Sequence, residues 1–387
     1  EVTMLERHSR AAAEASGNPA GLFHAVAHAG DGPYARLYRA AALRAHTVYS
    51  QAIDRAGVPG NARGLLRIVP PPDDLKSMQA LLARSGLPTS HLQALDRHAA
   101  SALAGVALHH PAWFYPGGGW IDPGAWVQQA LAQPGVRLVV GAAVARVSAG
   151  PDDPADPRWI VHGDNGAVLA RAAVVVLAPG AAGTSLAPMR WPLSRSRGQL
   201  TYWTRSHSEP TPLRIALAGA GYALPLAGGG LVCGATHDPA ADADDLERDP
   251  PVRRSDHQYN LQRLLSLCGL QPPPDAVLQD RAAWRLQSAD RLPIAGAVSL
   301  DAGEGSRSGR RDQARLLPRA RGLFVLTALG SRGLTWAPLL AELIAAQACG
   351  APWPLTQDLA DAVDPARWAV RAARSPRGHR SGPEGPG

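Results

Sequence analysis

The segment that most restricts the fold is "RGLFVLTALGSRGLTWAPLLAELIAAQACG", residues 321–350. Its opening apolar run has strand length, Gly330 and Gly333 mark a tight turn, and a helical pattern follows from about Thr335 to Cys349. A strand that turns directly into a helix is the geometry that anion and cofactor sites use in α/β folds. A second segment, "ARAAVVVLAPG", is apolar on both faces over residues 172–178. Continuous apolarity of this kind predicts a parallel strand covered on both sides. With 387 residues, 45% of them hydrophobic, the chain can bury a large core split between two lobes.

Other elements follow from local signals. The stretch Pro33 to Gly57 predicts a long helix, with Leu37, Ala41, Val48 and Ile53 on its apolar side and a glycine past its end. In "IDPGAWVQQALAQPG", Asp122 caps a second helix, Pro123 occupies its first turn and Gly135 ends it. "VRLVVGAAVARVSAG" and "ARAAVVVLAPG" read as strands around a polar turn region at 151–157. The Gly/Ser/Arg-rich segment 301–315 reads as loop or disorder, and so do the last dozen residues. No run approaches the roughly 18 apolar residues of a membrane span, and the opening has no signal-peptide form, so a cytoplasmic protein is expected. Cys233, Cys268 and Cys349 are too few and too scattered for a disulfide framework or a zinc site, and are expected to be buried thiols.

Four stretches carry candidate chemistry. "EVTMLE" reads as a short strand closed by Glu6, the place where a dinucleotide-binding unit puts the acid that holds a ribose. On that reading the first strand and its glycine-rich turn precede Glu1. "ASGNPAG" follows, with Ser16, Gly17 and Asn18 suited to a pyrophosphate or flavin passing close to the backbone. "ALGSRGLTWAP" offers an open helix N-terminus to an electron-rich ring, or is an ordinary turn between strand and helix. "AAWRLQSADRLPIAG" sets Arg285 in apolar surroundings, where a guanidinium needs a partner: a bidentate ligand carboxylate, or an internal salt bridge. Tyr115, Gly118, Gly198 and Gln199 line a pocket or make turns. There is no GxSxG, HExxH, P-loop or paired CxxC, so hydrolase, zinc-protease and NTPase readings have no support, and no metal site is expected.

Taken in order, "ASGNPAG", "YPGGGWIDP", "VVVLAPG", "RGQL", "GATHD", "RLQSADRLPIAG" and "ALGSRGLTWAPLLAELIAAQ" resemble the D-amino-acid-oxidase-like flavoproteins. They resemble more closely the FAD-dependent oxidoreductase half of the MnmC family, bifunctional enzymes of tRNA wobble-uridine modification. The resemblance implies a Rossmann-like FAD-binding lobe, its first strand and glycine turn missing, interleaved with a mixed-sheet α+β substrate lobe of glycine-oxidase type. The FAD lobe would comprise 1–50, 117–193 and 284–360, the substrate lobe 51–116 and 194–283, and a basic tail 361–387. It implies FAD as cofactor, tRNA as partner and a methyltransferase domain or protein beside it. The implied reaction oxidises a carboxymethylaminomethyl group of the wobble uridine to aminomethyl-uridine with release of glyoxylate. The alternatives are a glycine, sarcosine or D-amino-acid oxidase, or a non-catalytic tRNA-binding fragment. By the same resemblance Glu6 would hold the ribose and Val144 the adenine, while Ser16, Gly17, Asn18, Ala178 and Gly180 would contact the cofactor. Gly330, Ser331, Gly333 and Leu334 would surround the flavin's pyrimidine end, Arg285 would bind the substrate carboxylate, and Tyr222 would wall the pocket.

The net charge of +7 is concentrated in two stretches. Six arginines fall between Arg307 and Arg321 and five between Arg367 and Gly387. Both are read either as solvated segments or as contacts to tRNA phosphates.

Overall fold

The computed structural model describes residues 1–72, 74–150, 159–181, 186, 191–204, 211–240, 249–300 and 312–374. The expected turn region at 151–157, most of 301–315 and the last dozen residues lie outside them. The architecture is built around a nine-stranded mixed sheet whose two longest strands, Leu193–Trp203 and Leu278–Ser288, run antiparallel over their full length. Alternation divides the first strand into two faces. Arg197, Gln199 and Thr201 turn towards helix Arg254–Cys268, where Arg197 pairs with Asp256 and Asn260 donates to the Gln199 carbonyl. The even-numbered residues, Gly198 among them, face the opposite way.

Outside this sheet the strands are shorter. Val2–Leu5 pairs in parallel with Val136–Val139, and Val175–Leu177 pairs in parallel with Arg319–Thr327, which Ile294–Ser299 flanks antiparallel. Val144–Ala149, Trp159–Gly163 and Val168–Ala172 form an antiparallel meander. Helices Pro33–Ala56 and Gly333–Cys349 pack together through Leu37, Tyr38, Ala41, Trp336, Leu340 and Leu343, all nearly solvent-free. At roughly 25 cal/mol per Å² of apolar surface, such side chains contribute about 1.5–3 kcal/mol each.

The end signals act largely as the sequence implies. Helix Pro33–Ala56 opens on its proline and stops at Gly57, whose φ of 68° is the left-handed conformation a glycine adopts at no cost. Asp122 accepts from Ala125 N at 3.0 Å to cap helix Pro123–Leu131. That helix ends before Gly135, because Pro134 would press its ring on the carbonyl four residues back. Helix Gly333–Cys349 starts two residues earlier than expected and carries Pro338 inside it. The missing N–H leaves the Leu334 carbonyl without its helical donor, and Tyr49 Oη donates to it at 2.8 Å.

Three expectations need correction. The 172–178 segment is a parallel strand only over Val175–Leu177, and it is not covered on both faces. Leu177 packs with Ile294 and Val325, whereas Val174 and Val176 point the other way and are 43% and 45% exposed. Cys349 is not buried, because it ends its helix on the surface. The chain after residue 361 is not simply a solvated tail: helix Arg367–Arg374 docks through Arg367, 3% exposed, which pairs with Asp290 at 2.9 Å.

Candidate functional site

Strand Leu278–Ser288 organises the site. Residues two apart share a face, so Arg281, Ala283, Arg285 and Gln287 line up towards the same side. At one end Arg281 donates to the carbonyls of Ala13 and Glu14, in the loop before the short 3₁₀ turn Ala15–Gly17. At the other, Gln287 bridges to Leu329, at the turn Gly330–Arg332 that opens helix Gly333–Cys349. Arg285 lies between them. One strand therefore ties together the loop and the helix start that the sequence marks as cofactor-binding.

Arg285 lies against bare backbone. A methyl group at position 198 would be 2.1 Å from Arg285 Nη2, so only glycine leaves room for the guanidinium there. Nη1 donates to the Thr236 carbonyl at 2.9 Å. Among the described residues no carboxylate lies within ion-pair distance of Arg285, so none of them forms the internal salt bridge open to it in the sequence. Burial lowers its pKa, with Tyr222 and Asp238 opposing through their charge. Tyr222, at the start of strand Tyr222–Pro225, is pushed up to about 12 by burial despite the nearby guanidinium. The phenol is therefore neutral, and it stands beside a cation with donor capacity to spare.

The cofactor-side residues fall into two groups. Glu6 follows strand Val2–Leu5, and one of its carboxylate oxygens accepts from His8 N at 2.9 Å. Val144 begins the meander opposite Gly163. Ser16 and Gly17 lie in the 3₁₀ turn with Asn18 as its cap, and Gly180, after Val175–Leu177, is close enough to Glu14 that a methyl group there would be 3.6 Å away. Ala178 is exposed on the same loop. In the second group, Gly330 has φ 60°, Ser331 is exposed, and Gly333 starts a helix whose N-terminus has no side-chain cap. Leu334 differs from the others, since its side chain turns inward over Gly21 to join Phe23 and Tyr49. Its side chain is therefore largely taken up in that packing and only partly exposed.

Several suggested pocket residues serve the framework. Gln199 is fully buried between Arg197 and Arg253, and the Tyr115 hydroxyl accepts from Ala27 N at 3.0 Å. Gly118 packs against Leu65 and His24. The basic segments are also partly committed internally. Arg319 pairs with Asp364 at 2.9 Å, and Arg371 joins Arg367 on Asp290 at 2.7 Å. Arg315 and Arg321 remain exposed, while Arg307, Arg310 and Arg311 lie outside the described residues. Sequence reasoning missed Arg281 and the Thr236 carbonyl. The RxxxR spacing in an apolar strand signalled the first, because period-two alternation puts both arginines on one face. Nothing local signalled the second.

A family model described as FAD dependent oxidoreductase, DAO, matches residues 1–347. The chain belongs to the DAO family of FAD-dependent oxidoreductases. Two curated relatives carry the name tRNA 5-methylaminomethyl-2-thiouridine biosynthesis bifunctional protein MnmC. The one from Methylibium petroleiphilum is 40% identical over 97% of this chain, and one from Burkholderia pseudomallei is 39% identical over 97%. The chain spans only 57% and 56% of their lengths. Among solved DAO-type structures, glycine oxidase from Geobacillus kaustophilus aligns with TM-score 0.69 at 20% identity, covering 94% of this chain and 91% of that one. Iminodiacetate oxidase (IdaA) from Chelativorans sp. BNC1 aligns at 0.68 and 20%, covering 92% and 90%. These two establish the DAO fold.

FAD is the cofactor of this family, and the described residues suit it. The N-terminus of Gly333–Cys349 has no side-chain cap bond, and a helix start of this kind offers N–H groups and a partial positive charge to an electron-rich ring edge. Glu6 keeps one carboxylate oxygen unengaged for a ribose hydroxyl. No group of three or more His, Cys, Asp or Glu among the described residues is arranged to hold a metal, and no helix there is long and apolar enough to cross a membrane.

Proposed function

We propose that the chain oxidises the glycine-derived methylene of a carboxymethylaminomethyl group on the wobble uridine of tRNA, leaving aminomethyl-uridine and glyoxylate. The observation that carries this reading is Arg285, a half-buried guanidinium seated on Gly198 without a carboxylate partner among the described residues. A carboxylate ligand gives it the bidentate pair that its planar fork matches. FAD, held by Glu6, the Ser16–Asn18 turn and the backbone at Gly330–Leu334, supplies a two-electron acceptor.

With the carboxylate fixed on Arg285, the adjacent C–H bond is held in one direction. The guanidinium also disfavours a second positive charge on the neighbouring nitrogen, which keeps the amine neutral with its lone pair available. The C–H bond breaks, hydrogen leaves with the electron pair, and the nitrogen lone pair closes a C=N bond. Water adds to that carbon, and cleavage of its bond to nitrogen releases glyoxylate and the primary amine. Tyr222, neutral through the working pH range, walls the carboxylate end and donates without adding charge. By the same reading tRNA is the partner, a methyltransferase activity supplies or follows this step, and the protein works in the cytoplasm.

The test is turnover of tRNA bearing the carboxymethylaminomethyl group, read by mass spectrometry of its nucleosides, with free glycine, sarcosine and iminodiacetate in parallel. Arg285→Lys should raise KM at least tenfold with a smaller change in kcat, and Gly198→Ala should do the same by displacing the guanidinium. Turnover of the free amino acids but not of tRNA would overturn the substrate assignment.

A further inference from the structure

We infer that Arg281 is a positioning residue that locks the cofactor loop to the substrate-binding strand and so pre-shapes the cofactor turn. The inference rests on the reading of Ser16–Asn18 as cofactor-binding.

Arg281 is remote from Arg285 in chemistry but not in construction. Four residues along an extended strand is about 13 Å, and alternation keeps both side chains on the same face. Arg281 Nη2 donates to two consecutive carbonyls, Ala13 O and Glu14 O, both at 2.5 Å. These carbonyls precede Ala15–Gly17, where no side chain caps the turn, and Ala12 before them has φ 56°, a conformation disfavoured for alanine. The loop is held in shape from outside.

The fit is tight on the loop side as well. A methyl group at Gly17 would fall 2.4 Å from Ala12 O and 2.7 Å from Arg281 Nη2. The guanidinium thus occupies the space a larger residue would need, and the backbone of the proposed cofactor turn folds against it. Glu14 extends the contact: its side chain pairs with Arg7 and His8, just after Glu6, and lies beside Gly180. One arginine on the strand that carries Arg285 therefore connects to the ribose-side acid, the Ser16–Asn18 turn and the loop after Val175–Leu177. Burial lowers the pKa of Arg281, with Arg10 adding to the effect, and its Nε is buried without a partner. It would not stand there for its own solvation.

The test compares Arg281→Met, which keeps the stem and removes the donors, with Arg285→Met in the full chain. Two quantities are read: the FAD dissociation constant by flavin fluorescence, and the rate of tryptic cleavage after Arg10 in cofactor-free protein. Arg281→Met should raise the dissociation constant at least tenfold and speed cleavage after Arg10 at least tenfold, and Arg281→Lys should recover part of both. Arg285→Met should move neither. Wild-type values for Arg281→Met would overturn the inference, and so would faster cleavage with FAD affinity unchanged, which would leave Arg281 a structural tie only. A wild-type chain that takes up no FAD would overturn the cofactor reading itself, a result distinct from either.

Discussion

At the residue scale, His24 shows how burial sets a charge state. Its ring packs 5.4 Å from Tyr115, and Nδ1 bonds the Ala25 carbonyl. Burial drives its pKa down to about 3, Arg332 and Arg67 push the same way, and the backbone bond only partly opposes them. The folded pKa lies below the unfolded value, so the neutral ring contributes stability that is fully present above about pH 6.5 and is lost as pH falls towards 3. Melting should become progressively easier between pH 6.5 and 5, by up to ~1.4 kcal/mol per pH unit from this group. His24→Gln should flatten that slope, as read by melting temperature across the range; an unchanged slope would assign the titration elsewhere. Histidine content is visible in a sequence, but the buried environment of this one is not. Arg285 was legible because an arginine in apolar surroundings demands a partner. Gly198 was not legible as its seat, since the strand register that sets Gly198 opposite Ala283 and Arg285 opposite Ser196 joins segments more than eighty residues apart.

At the element scale, the helices declared their ends through Pro33, Gly57, Asp122 and Pro123, because caps are local chemistry. What local chemistry omits is a defect repaired from a distance. Pro338 inside Gly333–Cys349 deprives the Leu334 carbonyl of its donor, and the Tyr49 hydroxyl from helix Pro33–Ala56 replaces it. Leu334 also packs over Gly21, so this bond supports the turn proposed to face the flavin. Tyr49→Phe should cost about 1–3 kcal/mol, the desolvation of a buried unpaired acceptor. In a Pro338→Ala background, where the helical N–H returns, the same substitution should cost less than half as much. Melting temperatures of the four proteins give the cycle, and equal costs in both backgrounds would show that the tyrosine stabilises through packing alone. The arginine-rich helix Arg367–Arg374 escaped a sequence reading for a related reason. Composition marked it as solvated, and only Asp290, seventy-odd residues earlier, makes its first arginine a core residue.

At the scale of the whole molecule, a net charge of +7 is a field, and which charges are free decides what that field can do. A guanidinium already paired with a carboxylate releases few counterions from a nucleic acid, so counting arginines overstates the binding surface. Arg319 lies between Asp364 and the carbonyls of Ala297 and Ala314, whereas Arg315 and Arg321, on either side in sequence, are exposed. If tRNA phosphates meet this stretch, Arg315→Ala with Arg321→Ala should weaken binding and reduce the slope of log affinity against log salt by roughly 0.7–0.9 for each phosphate left without its arginine. Melting temperature should hardly move, because surface substitutions of this kind cost within about 0.5 kcal/mol. Arg319→Ala should behave in the opposite way, losing about 1.5–3 kcal/mol of stability with the charged hydrogen bonds and leaving the salt slope as it was. Titrations at several salt concentrations, paired with melts, separate the two classes. A shallower slope for Arg319→Ala alone would mean that the pair with Asp364 opens when tRNA binds.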